Sequence, residues 1–267
     1  MEATNQSQTK PITIAFLGTI LALMGNVNTV VDSLENAQKL IEFPSAVIEN
    51  IQNFQQKAKP LVDELSNSLA TSQQPTEQDM AKANYIKYLG WEIVKQSKPS
   101  LELIKSDQAN LMSEEELAAA KKLEKHISSL ESELEKLESL TNRINASRYA
   151  AEFLDTDLKR DELARAAAKA VLVKQPENQE FFYQKISLYL KLIYHSLDMC
   201  STELLDEAIK RKSISLGSQI PYSVYIEALN FIKNQNYIPI LTNDDAQNEL
   251  NFYLDYLSKK LPDMSIS

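Results

Sequence analysis

The side chains best suited to nucleophilic, acid–base or metal chemistry are few: one cysteine, Cys200, and two histidines, His126 and His195, among 267 residues. His195 and Cys200 are five positions apart, which sets them about 140° apart around a helix. They do not face each other, so the expected roles are a packed imidazole and a buried thiol rather than a thiolate–imidazole pair. His126 is expected in solvent beside an apolar seam. Two histidines and one cysteine supply no multi-histidine or cysteine zinc set, no HExxH and no Glu-x-x-His, and a single thiol closes no intrachain disulfide. Carboxylates are plentiful, yet Glu114-Glu115-Glu116 suit a helix start, and Glu131, Glu133, Glu135 and Glu138 suit a solvated face. No glycine-rich phosphate loop of the GxGxxG or GxxxxGK(S/T) kind occurs. The expectation is a non-enzymatic protein with no catalytic residue, no cofactor and no metal.

Composition sets the frame for those residues. Only 4 glycines and 9 prolines punctuate the chain, where an average composition would supply about 19 and 13. Few turns and long regular elements follow, which excludes sandwiches, small barrels and propellers. At 43% hydrophobic residues the chain can bury a real core. Its net charge of −9 disfavours nonspecific binding to nucleic acid, and no nucleic-acid partner is expected. Strand alternation is nowhere sustained, since Pro239 interrupts Tyr237–Leu241. The fold class is therefore all-α: an elongated multi-helix bundle with a long heptad-patterned helix and a compact C-terminal helical subdomain.

Caps and breakers divide the chain. Residues 1–8 are expected to be disordered. Thr9 and Pro11 open a first helix that runs to about Phe43, where Pro44 breaks it. A second stretch runs to about Thr71, with Pro60 bending or splitting it. Thr76 caps a third, expected to end near Lys98 before Pro99. Ser113 with Glu116 forms a capping box and opens the longest helix, reaching about Phe153. An alanine-rich helix spans Asp157 to about Lys174. Of the 19 Phe and Tyr residues, 12 lie in the last 91 positions, so residues 9–176 read as the bundle and 177–267 as a subdomain with its own aromatic core. Tyr183, Tyr189, Tyr222, Tyr225, Tyr253 and Tyr256 are expected in that core, with a ligand pocket as the functional alternative.

Two segments carry the functional expectation. Along the longest helix, Leu123, Ile127, Leu130, Leu134, Leu137 and Ile144, with Thr141 in the seam, fall at heptad spacing. That seam either pairs with another helical chain or packs within the bundle. The first helix runs 21 residues, Pro11 to Val31, without a charge. Ala15, Gly18, Ala22 and Gly25 share one of its faces, and small residues there admit a close helix partner. In composition this helix is similar to the opening helices of membrane-permeabilising helical bundles, which implies insertion into or association with a bilayer as the alternative mode of action. The leading expectation is a scaffold, adaptor or assembly subunit, cytoplasmic or membrane-associated, that acts through protein–protein contact or self-association of its helices.

Overall fold

The computed structural model describes residues 12–72, 74–108, 112–172, 178–211, 220–234 and 244–262. Within them lie nine helices and no strand: α1 (Ile12–Ala37), α2 (Ser45–Thr71), α3 (Glu77–Gln108), α4 (Glu114–Phe153), α5 (Asp157–Val171), α6 (Gln179–Asp198), α7 (Glu203–Lys210), α8 (Tyr222–Asn234) and α9 (Asp244–Lys260). The all-α expectation holds. Residues 1–8, the Thr9–Pro11 helix start and Tyr237–Leu241 fall outside the described residues.

Capping chemistry fixes the helix starts where the sequence indicates them. The Thr76 hydroxyl accepts from the Asp79 amide at 3.1 Å, and the Asp79 carboxylate accepts from the Thr76 amide at 2.9 Å. Ser113 and Glu116 make the same reciprocal pair at the head of α4. Pro99 behaves differently from the expectation, and Pro60 does not split its helix. Helix α3 does not end near Lys98 but continues through Pro99 to Gln108, and α2 runs unbroken through Pro60. An interior proline costs about 3 kcal/mol. Burial beyond each one offsets that cost: Leu101 after Pro99, and Val62, Leu65 and Leu69 after Pro60, all face the core.

The chain divides into two compact units, residues 13–141 and residues 142–267. In the first unit, Phe16, Ile20, Leu23, Val27 and Val30 of α1, Phe54 and Leu65 of α2, Ile86 and Ile93 of α3, and Leu123, Ile127, Leu130 and Leu134 of α4 form the core. Gly90 of α3 is the glycine that close packing requires. A Cβ there would sit 2.6 Å from a methyl of buried Leu134, whereas one at Gly18 or Gly25 would meet nothing within 4 Å.

In the second unit, α5 packs on α6 and α8. This departs from the expected boundary at residue 176. The aromatic residues begin there, but the core they belong to begins earlier, with Ala150, Ala151 and Leu154 of α4 and Leu163, Ala164, Ala167 and Ala168 of α5. Alanines let α5 approach closely, so the alanine-rich helix belongs to the aromatic core it serves. Buried Arg160 closes the α4–α5 corner by donating to the carbonyls of Leu154 and Asp155 and to the Asp157 carboxylate.

Gly90→Ala is therefore expected to destabilise the chain by about 1–3 kcal/mol through overpacking against Leu134. Gly18→Ala and Gly25→Ala are expected to be neutral or stabilising by up to about 1 kcal/mol each through helix propensity. Urea denaturation of the three variants checks the contrast.

Candidate functional site

The chemistry-bearing residues are held in structural roles. His195 lies tilted against the neighbouring Tyr194 ring, with centroids 4.8 Å apart. Cys200, 5% exposed, lies past the end of α6 with a left-handed φ of 47°. Its amide donates to the Leu197 carbonyl, and the Ser201 amide donates to the Ser196 carbonyl, each at 2.9 Å. That geometry terminates α6 in the manner usually served by glycine. Burial pushes the Cys200 thiol up to about 11, against a hydrogen bond with Ser147 that pulls it the other way.

His126 is not simply solvated as expected. Its Nδ1 lies 2.5 Å from the Ser33 hydroxyl, tying α4 to α1. Burial, followed by the charges of Lys122 and Lys125, lowers its pKa and favours the neutral ring. The carboxylates pair with cations: Glu131 with Lys98, Glu133 with Lys136 at 2.6 Å, and Glu138 with Lys87 at 3.7 Å. Among the described residues no group of three or more His, Cys, Asp or Glu is placed to hold a metal ion.

The seam residues Leu123, Ile127, Leu130, Leu134, Leu137, Thr141 and Ile144 are all buried by the chain itself. The other expected contact surface is open. Gly18, Ala22 and Gly25 are exposed and Ala15 is half-buried. On the same side, Ile14 is 59% and Leu21 50% exposed. Sequence reasoning picked out the small residues and missed these two. The signal was present: Ile14, Gly18, Leu21 and Gly25 are spaced 4, 3 and 4, so α1 carries a second apolar stripe back to back with the buried stripe of Phe16, Ile20, Leu23 and Val27. The outer stripe alternates bulky and small. It bears no charge.

The tyrosines separate into inside and outside. Tyr189, Tyr225 and Tyr253 are fully buried, whereas Tyr222 is exposed. Phe182 and Tyr189 lie with ring centroids 4.7 and 5.8 Å from that of Tyr225. Tyr183 lies under Arg165 at 3.9 Å, and Tyr256 donates to the Asp206 carboxylate at 2.7 Å. Also unforeseen is a half-buried polar group between α4 and α9. Glu249 accepts from Arg143 at 3.0 Å and from the buried Ser147 hydroxyl at 3.4 Å.

Comparison with known proteins completes the description. The chain is 29% identical to the C-phycoerythrin alpha chain of Pseudanabaena tenuis (strain PCC 7409) and 30% identical to that of Microchaete diplosiphon. Each alignment spans 144 residues, taking in 49% of this chain and 87% of the relative. The chain belongs to the C-phycoerythrin alpha chain family. No family model and no solved structure matches it. Phycoerythrin alpha chains are non-enzymatic subunits, and the chain is accordingly a non-enzymatic protein. The other half of its length lies outside these alignments.

Burial raises the Glu249 carboxyl above its ordinary value of 4.5, outweighing Arg143, which pulls it down. A raised acid favours the protonated form in the folded state, so its contribution to stability is complete below pH 4.5 and lost as pH rises through the folded value. Glu249→Gln is expected to flatten that part of the pH dependence. Urea midpoints measured at a series of pH values from acid to neutral test this.

Proposed function

We propose that the chain is a cytoplasmic helical assembly subunit whose contact surface is the outer stripe of α1: Ile14, Ala15, Gly18, Leu21, Ala22 and Gly25. The observation that carries the proposal is the pairing of exposed Ile14 and Leu21 with Gly18 and Gly25, where a Cβ would meet nothing within 4 Å. Apolar side chains standing in water around two open glycine notches are a surface for close helix packing.

A second copy of this chain fits that surface. If two α1 helices cross antiparallel about a twofold axis, Ile14 of one faces Gly25 of the other and Leu21 faces Gly18. Every bulky side chain then meets a notch, the self-complementarity that an isologous interface requires. Membership in a family of alpha chains supports a role as one subunit among several. With the seam of α4 buried internally, α4 acts as the support for α1 rather than as the contact.

A specific observation favours a second reading. Helix α1 is 26 residues long and apolar enough to cross a membrane, and 28% of its most apolar 18-residue window is buried. In that reading the same stripe meets lipid.

Sedimentation velocity across a concentration series separates the two. The wild-type chain is expected to self-associate, and Ala22→Glu to weaken association at least about tenfold, or 1.4 kcal/mol. Leu158→Glu, at a 72% exposed site on α5, leaves it unchanged. A wild-type chain that stays monomeric and floats with lipid vesicles, losing flotation in Ala22→Glu, would instead establish the membrane reading.

A further inference from the structure

We infer that this chain holds no pigment covalently: it is a pigment-free subunit whose single thiol serves to terminate a helix. The inference rests on the family membership above and asks what the family's name implies for these residues. Phycoerythrin alpha chains are pigment-bearing. A pigment held on a protein thiol is made by addition of the sulfur to a conjugated carbon–carbon double bond of a linear tetrapyrrole. The new carbon–sulfur bond forms as one π bond breaks, and the proton lost by the thiol ends on the adjacent carbon, with no oxidant or reductant needed. The reaction demands an attacking thiolate and room for a large conjugated molecule at the sulfur.

Neither demand is met. The whole sequence has one cysteine, so the question falls on Cys200 alone, whichever half of the chain aligns with the relatives. Its side chain is buried, and its backbone is fixed in the left-handed turn that closes α6. Around it stand Ser147, Glu249 and Arg143 of the α4–α9 polar group, and the charge of Arg148. Burial there keeps the sulfur protonated at neutral pH, and the nearby Glu249 acts in the same direction.

The fully buried Tyr253 of α9 lies close to it as well. Farther back along α6, Phe182 and Tyr189 pack with tilted rings against Tyr225 of α8, and all three are fully buried. The residues do not fit a thiol-held pigment. What the chain keeps of its family is the helical subunit.

Intact mass spectrometry of the chain purified from its own cells is the test, followed by incubation of the native protein with a linear tetrapyrrole bearing an ethylidene group. The expected mass is that of the polypeptide alone. The expected denaturing gel, stained with zinc, shows no fluorescent band before or after incubation. Iodoacetamide is expected to modify Cys200 at least about tenfold more slowly in the native chain than in urea. A tetrapyrrole adduct lost in Cys200→Ser would overturn the inference at the thiol, and one that persists in Cys200→Ser would overturn it elsewhere in the chain. Either adduct would leave the self-association result intact, so failure here is distinguishable from failure of the assembly reading.

Discussion

Burial of the α4 seam is the constraint on which the rest of the structure depends. Helix α4 extends about 60 Å, and its apolar positions are covered along their length, first within the unit of residues 13–141 and then within that of residues 142–267. Each seam leucine contributes about 1.5–3 kcal/mol on leaving water. The α3–α4 approach shows how tightly this is enforced, since Leu134 lies against Gly90 and no larger residue fits there without displacement. Ion pairs from Lys87 and Lys98 to Glu138 and Glu131 border the seam, and Ser33 fastens α1 to it through His126.

That constraint explains why the proposed contact falls to α1. A helix with one apolar stripe buries it and presents a polar back. Helix α1 has two. Phe16, Ile20, Leu23 and Val27 pack inward, which leaves Ile14 and Leu21 outward and exposed among the described residues. Burial of the inner stripe holds the outer one in water, and association with a second surface relieves that exposure.

The sequence made much of the fold legible because its signals are local. Capping boxes at Thr76 and Ser113 are read from four residues each, and the α4 seam from its spacing. Tertiary packing was not legible, and the misreadings follow from that. Pro99 looked like a helix end because local propensity disfavours it, whereas burial of Leu101 carries α3 onward. Gly18 and Gly25 looked like packing glycines because of their shared face, whereas the close approach occurs at Gly90, whose partner Leu134 is 44 positions away in the sequence. The open face of α1 was visible as small residues, but its exposure depended on which stripe the core took.

The central claim is that α1 meets a second copy of itself with each bulky residue over a glycine. Mixing Gly18→Cys and Leu21→Cys chains, both carrying Cys200→Ser, and following disulfide formation under mild oxidation tests it directly. The account predicts that the mixed 18–21 dimer forms well ahead of either homodimer and of a Leu158→Cys control. Cross-linking of the mixture no faster than that control would contradict it.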